Sequence, residues 1–241
     1  MMLSYDKYTT WGALHWTECD RNSPLYNPAL EARYTVLLKR IKKARRILEV
    51  GCGDGYLLGL VSPLCDVVVG IDADQTATQL ASDKLKYIAN ATVLQADCYQ
   101  LPCAQAAFDV VLLADVIEHL PNPDACLQEA CRTLTPGGRV LITTPQWQPT
   151  GARDPYHYKE YKPGELVELL ARYFSSVVMV FFWPRHWHIA YSSSTRIGRK
   201  LIRIFSRHFY NPFLREGSDN RRYAMMLAVC EQPRSCAERI L

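Results

Sequence analysis

The sequence predicts an α/β fold: a doubly wound, mostly parallel sheet with helices on both faces. Three observations carry that prediction. Short, β-branched apolar runs recur along the chain, among them "RILEV", "VVVGID" and "FDVVLLAD". Stretches of helical patterning separate them, and such alternation builds βαβ units whose parallel strands are covered on both sides. The bulk is right as well: 241 residues, 49% hydrophobic and 22% charged, are ordinary globular composition for one decorated domain.

Seven strands are expected, at 46–50, 67–72, 91–97, 108–115, 138–145, 176–183 and 223–232. Helices are expected at 55–64, 74–87, 122–134 and 163–173, the second capped by Asp74. Two regions fall outside the alternation. Residues 1–45 are aromatic-rich and end in a basic helix, "LEARYTVLLKRIKKARR"; residues 184–222 form a basic insertion before the last strand. Both read as walls or lids over a site at the carboxyl ends of the strands, where open α/β sheets bind ligands. The expected organisation is a helical lid segment over 1–45 and one domain over 46–241, with a basic helical insertion at 184–222.

The N-terminus has no basic region followed by an apolar one, so no signal peptide is read there. The longest apolar stretch, "VVMVFFW", is too short to span a bilayer. Nine cysteines without a CxxC pair are neither a zinc-ribbon pattern nor a secreted disulfide framework, and a reduced, cytoplasmic compartment is expected. The net charge of +4 is uneven: residues 184–241 carry eleven Lys/Arg against four Asp/Glu, and the remainder is net acidic. That asymmetry points to an anionic partner, either nucleic acid or a membrane surface.

The chemistry starts at "LEVGCGDGYLLG". Gly51, Gly53 and Gly55 follow the first strand and precede a helix, which permits a tight turn and a close backbone approach to a ligand. Asp72 ends the second strand, where a carboxylate can accept both hydroxyls of a ribose. The loop is G-x-G-x-G rather than the dinucleotide G-x-G-x-x-G, with Tyr56 at the third dinucleotide glycine. Glu49 would repel a pyrophosphate and suits a cationic ligand with an amino group. An NAD-dependent oxidoreductase is disfavoured on both counts.

These residues resemble the first motif of the class I S-adenosylmethionine-dependent methyltransferases. "VVGIDAD", "LQADCYQLP" and "FDVVLLADVIEHLPNPDACLQEACRTLTPGGRVLITTP" resemble its later motifs in the same order, over roughly residues 46–182. The resemblance implies a seven-stranded sheet with the last strand antiparallel and S-adenosyl-L-methionine as cofactor. It implies that Gly51, Gly53 and Gly55 wrap the methionine part, with Glu49 orienting the loop or meeting the amino group. Asp72 takes the ribose and Asp97 the adenine amino group. The Cys98 backbone N–H meets a ring nitrogen, and Ala114 and Asp115 lie beside the methionine.

Methyl transfer to a hydroxyl needs a base, and histidine is suited to that. His119, just past the fourth strand, and His157, in the loop after the fifth, are the candidates. Tyr8, Trp11, His15 and Trp16 of the lid, with Tyr5 beside them, and Tyr158 are candidate acceptor contacts. No metal ligand is assigned. One arrangement stays open: Asp115, Glu118 and His119, spaced to share a face of one helical turn, resemble the E-x-x-E-H of ubiquinone-biosynthesis O-methyltransferases.

In "STRIGRKLIRIFSRHFYNPF", Ile197, Leu201, Ile204, Phe205 and Phe209 fall on one helical stripe, and Arg196, Lys200, Arg203 and Arg207 on another. Such a helix can lie in a membrane interface, so peripheral membrane contact through 196–209 is one expectation. A helix covering the acceptor pocket is the other. The function read from all this is O-methylation of a small-molecule or lipid-linked acceptor. A nucleic-acid methyltransferase comes second, because the "N/D-P-P-Y/F" sequence is absent and no RNA-binding domain is appended. A non-catalytic cofactor-binding protein comes third.

Overall fold

The computed structural model describes residues 7–41, 44–149 and 154–234; Tyr5 lies outside them. The elements run α1 (Lys7–Trp11), α2 (Leu14–Glu18), α3 (Pro28–Leu38), β1 (Arg46–Val50), α4 (Tyr56–Val61), β2 (Val67–Asp72), α5 (Gln75–Leu85), β3 (Ala91–Gln95) and β4 (Phe108–Ala114). They continue with α6 (Pro123–Thr133), β5 (Leu134–Pro145), α7 (Pro163–Ala171), β6 (Phe174–Pro184), α8 (Arg185–Ser193), α9 (Arg196–His208), β7 (Glu216–Gly217) and β8 (Tyr223–Pro233).

The strands join one sheet in the order β3-β2-β1-β4-β5-β8-β6-β7. β1 pairs in parallel with β2 and β4, β2 with β3, and β4 with β5. β8 runs antiparallel to both of its neighbours, β5 and β6. The first six strands therefore share a direction and β8 opposes it, as expected. The sheet has eight strands rather than seven. The addition is β7, two residues paired with Phe181 and Phe182 at the edge, too short to show a period in sequence.

Element ends differ where side chains compete with the regular ladder. β3 stops at Gln95, two residues early, because the Asp97 carboxylate accepts from the Tyr99 N–H at 2.9 Å and turns the chain. β5 begins at Leu134, which pairs with Phe108 across a bulge. The basic helix ends at Leu38 instead of continuing into the arginines, and Arg40 turns to grip Glu216 of β7 through both terminal nitrogens. Asp74 caps α5 as expected, accepting from the Thr76 and Ala77 N–H groups.

Both faces of the sheet are covered. One layer packs Leu127 and Ala130 of α6 and Leu166 and Leu170 of α7 against Val111, Leu113 and Ile142. The other packs Leu30 and Leu37 of α3, Leu57 and Leu58 of α4 and Leu85 of α5 against Ile47, Leu112 and Leu141. A third cluster around Ala29, Ala32 and Phe213 pins α8 and α9 to α3. The N-terminal helices thus share the core of the sheet. Among the described residues, no helix is long and apolar enough to cross a membrane.

Candidate active site

The sheet order reverses between β1 and β4, so their carboxyl ends part and leave a crevice. The glycine loop rims it. Gly51, Gly53 and Gly55 have φ of +75°, +53° and +74°, a region that glycine enters without strain. The Gly51 and Cys52 N–H groups donate to the Ile71 carbonyl, and the Gly53 N–H donates to Asp72 Oδ2 at 2.8 Å. Asp72 Oδ1 accepts from the Asp74 N–H. Two N–H donors thus fix the carboxylate at the end of β2, and burial raises its pKa above the usual range.

Glu49, on β1, is buried, and its Oε2 meets no hydrogen-bond partner. Burial first, then the nearby Asp54 and Asp72 carboxylates, push its carboxyl well above the usual range. An ammonium group brought to that oxygen would satisfy it. Asp97 stands exposed in the turn after β3, and Cys98 packs half-buried against the core beside it. The structure therefore aligns the loop glycines, Glu49, Asp72, Asp97 and Cys98 along the ends of β1, β2 and β3. This donor set fits S-adenosylmethionine: a buried carboxylate with one unpaired oxygen for an ammonium, a fixed carboxylate for a ribose, and a backbone cradle that admits no Cβ.

The N-terminal segment packs on the same loop. A Cβ on Gly53 would stand 2.0 Å from the Tyr8 hydroxyl. His15 donates from its backbone N–H and from Nδ1 to the two oxygens of Asp54, both at 2.8 Å. That fixes Nε2 as the acceptor for Lys7 Nζ, 2.8 Å away. The Trp16 indole donates to the Asp54 carbonyl, and its ring meets Tyr56 edge-on. Tyr8, His15 and Trp16 are thus brought together over the glycine loop. Trp11 is not: it is 68% exposed.

The ends of β4 and β5 are built from side chains. Asp115 adopts φ +55° directly after β4, accepts from Thr143 Oγ1 at 2.7 Å and forms an ion pair with Arg33 of α3. Arg33 lies over the Trp183 ring, 5.6 Å from its centroid, and its Nε is buried without a partner. Trp183 itself has φ +60° and stacks on His188. Two non-glycine residues in the left-handed region, both touching one arginine, mark a place where the fold holds strain.

Glu118 is buried; Thr144 donates to its Oε2 at 2.9 Å, and burial followed by Asp115 pushes its carboxyl well up. His119 and His157 meet edge-on, ring centroids 4.9 Å apart. A carbonyl only accepts, so His119 Nδ1 carries the proton it shares with the Tyr156 oxygen at 3.0 Å. His157 Nδ1 likewise donates to Glu160 Oε1 at 3.0 Å. In the neutral His119 ring the basic nitrogen is then Nε2. Burial lowers the His119 pKa, which keeps that ring neutral at pH 7.

Glu118, His119 and His157 each offer a ligand atom within 4.8 Å of the others, and they are the one such group among the described residues. The expected trio of Asp115, Glu118 and His119 does not form. Residues 117–119 make a 3-10 turn after a left-handed Asp115, so α-helical spacing does not apply, and Arg33 and Thr143 hold the Asp115 carboxylate. A cavity of about 280 Å³ opens beside His157, with Trp147, Tyr158 and Lys162 in its wall. Tyr158 also borders a shallower groove of about 650 Å³ along Leu120, Tyr161 and Leu169.

Sequence reasoning missed Arg33, Asp54, Trp183 and the Thr143/Thr144 pair. The signals were slight: one arginine among the buried residues of α3, and two hydroxyls at the end of an otherwise apolar strand.

Residues 48–142 match the family described as "Methyltransferase domain". A probable S-adenosylmethionine-dependent methyltransferase of Mycobacterium tuberculosis is 34% identical over 148 residues, 57% of this chain and 52% of that one. A ubiquinone biosynthesis O-methyltransferase of Idiomarina loihiensis is 24% identical over 147 residues, 52% of this chain and 59% of that one. The chain thus spans only a little over half the length of these relatives. Among solved structures, phosphoethanolamine N-methyltransferase 2 of Haemonchus contortus, bound to phosphomonomethylethanolamine and S-adenosylhomocysteine, superposes with a TM-score of 0.69. It is 19% identical, with 97% of this chain and 60% of that one covered, and shares the fold.

Proposed function

We propose that this chain, whose residues 48–142 match the methyltransferase domain family, is an S-adenosylmethionine-dependent methyltransferase that methylates a hydroxyl oxygen of a small-molecule or lipid-linked acceptor. The observation that carries the reading is the His119–His157 pair. Two imidazoles, each with Nδ1 held by an acceptor, stand just past β4 and β5, where a base for an alcohol or phenol belongs. A nitrogen acceptor with a lone pair does not need one.

When bound, S-adenosylmethionine supplies a methyl group on a positively charged sulfur. The chain's residues do the rest. Glu49 and Asp72 hold and orient, and the glycine loop approaches closely without side chains. The lid aromatics over the loop exclude water. Nε2 of His119 would take the proton of the acceptor's hydroxyl, leaving its oxygen the nucleophile for the methyl group that the bound cofactor would supply. A neutral histidine is needed before the reaction, and burial of His119 supplies one.

The test is transfer of labelled methyl from S-adenosylmethionine into an extract, followed by partition into organic, aqueous and precipitable fractions. The expected result is label in an ether-bonded organic or small aqueous product. His119→Gln should lower kcat by about 10²–10⁴-fold while S-adenosylhomocysteine binding stays within about twofold. Label on carbon or nitrogen, or nuclease-sensitive label, would overturn the oxygen reading. A rate that a chelator abolishes would shift the role of Glu118, His119 and His157 from proton transfer to metal binding.

A further inference from the structure

The apolar stripe of α9 faces away from the protein. Ile197 is 73% exposed, Leu201 61% and Phe209 79%, and Ile204 and Phe205 lie exposed between them. Phe205 and Phe209 stack on each other, ring centroids 5.8 Å apart. The opposite side of the helix is the packed one: Ser206 is buried and Ile202 joins the cluster around Phe213. The stripe itself thus faces away from the packed side of the helix.

The outward orientation is fixed by the helix's own cations. Arg203 donates to the Tyr191 hydroxyl and the Pro24 carbonyl, and Arg207 to the Ser23 carbonyl with its guanidinium over Tyr26. The remaining cations of the helix, Arg196, Arg199 and Lys200, are exposed. From residue 185 to 215 there are seven Lys/Arg and no Asp or Glu.

We propose that α9 docks on a lipid surface carrying anionic headgroups, its apolar stripe entering the interface and Arg196, Arg199 and Lys200 meeting the headgroup charges. Charge complementarity selects this occupant. A second copy of the chain, placed by a two-fold axis, would bring the same unopposed cations against one another. A nucleic acid would meet five large apolar side chains at the centre of the contact, where phosphates gain nothing. A narrow apolar stripe flanked by basic residues on one helix is the arrangement that lies in a membrane interface. The docked helix is tied to the chemistry through α3: the cluster of Ala29, Ala32, Trp183 and Ile202 joins it to the element that carries Arg33. The inference holds whatever the acceptor is.

The experiment is co-sedimentation of the full chain with vesicles of phosphatidylcholine, alone or mixed with phosphatidylglycerol. The chain should pellet with the mixed vesicles at low salt, much less with the neutral ones, and be released as salt rises. Leu201→Ser with Phe205→Ser should lower the partition coefficient roughly tenfold or more, since both side chains lose their place in the interface. Arg196→Ser, Arg199→Ser and Lys200→Ser together should do the same for the mixed vesicles only. All five positions are exposed, so both variants should keep S-adenosylhomocysteine binding, which separates lost docking from lost folding. Wild-type chain left in the supernatant overturns the proposal, as does a serine pair that pellets like wild type. A self-associated species that the serine pair dissolves, without vesicle binding, assigns the stripe to a second copy. A shift on RNA that depends on the cations alone assigns it to nucleic acid.

Discussion

The two ends of the crevice are built in different ways. At β1 and β2 the backbone does most of the work: three glycines with positive φ, N–H groups aimed at Asp72, and one buried carboxylate, Glu49, with its Oε2 unpaired. At β4 and β5 side chains from four separated stretches converge: Arg33 from α3, Asp115 and Glu118 after β4, His157 after β5 and Trp183 at the end of β6. A backbone cradle tolerates few changes and serves one ligand. A side-chain constellation can be exchanged piece by piece on the same scaffold, which is how related folds come to serve different acceptors. Substitutions should therefore act on cofactor binding at one end and on acceptor turnover at the other.

Gly53→Ala should have the largest effect. The added methyl stands 2.0 Å from the Tyr8 hydroxyl and strains a positive φ, so S-adenosylhomocysteine affinity should fall by about 100-fold or more by calorimetry. Adding Tyr8→Ala sharpens the test. Restored binding would assign the loss to the clash with the lid, and persistent loss to the backbone itself. Binding unchanged in Gly53→Ala alone would break the account of the cradle.

Glu49→Gln comes next, and its sign differs between the free and the bound protein. Burial raises the Glu49 carboxyl above its ordinary 4.5, so the folded chain holds that proton more tightly than the unfolded one. The carboxyl's contribution to stability is therefore complete below pH 4.5 and is lost as pH rises toward the folded value. At neutral pH the free glutamine variant should be more stable than wild type by about 1–3 kcal/mol and should unfold at a higher temperature. It should also bind S-adenosylhomocysteine about tenfold more weakly, because the ammonium loses its counter-charge. Thermal scans with and without ligand at pH 5 and pH 7.5 read both effects. A variant no more stable than wild type at pH 7.5 would mean that the buried carboxylate costs the free protein nothing.

The same contrast decides how far the sequence could be read. Strand order, the antiparallel β8, the turn of the glycine loop and the places of Glu49 on β1 and Asp72 at the end of β2 were legible, because each is a local pattern: an apolar run, a turn residue, a fixed spacing. β7 was not, since two residues cannot show a period. The Asp115–Glu118–His119 trio failed because Asp115 is left-handed and α-helical spacing breaks there. His119 and His157 were each legible as candidates, but their meeting required the loop after β5 to fold back across the end of β4. Arg33 is separated from Asp115 by eighty-two positions, and no local signal joins them. The direction of the α9 stripe was equally hidden: amphipathic periodicity reports that two faces differ, and contacts from Ser23 and Pro24 decide which one faces water.

Arg33 and Asp115 give the smallest expected effect and the finest discrimination. The resemblance places Asp115 beside the methionine of the cofactor, whereas the structure ties its carboxylate to α3 and Thr143. Asp115→Asn keeps a residue that tolerates φ +55° and removes the charge; Arg33→Met keeps the bulk and removes the guanidinium. Both side chains retain some exposure, 20% and 14%, so their coupling in a double-mutant cycle of denaturant unfolding should be about 1 kcal/mol. If the pair serves the acceptor end, each substitution raises the acceptor KM and leaves S-adenosylhomocysteine affinity within about twofold. If Asp115→Asn weakens S-adenosylhomocysteine while Arg33→Met does not, Asp115 belongs with the backbone cradle, and the division between the two ends falls after β4 rather than before it.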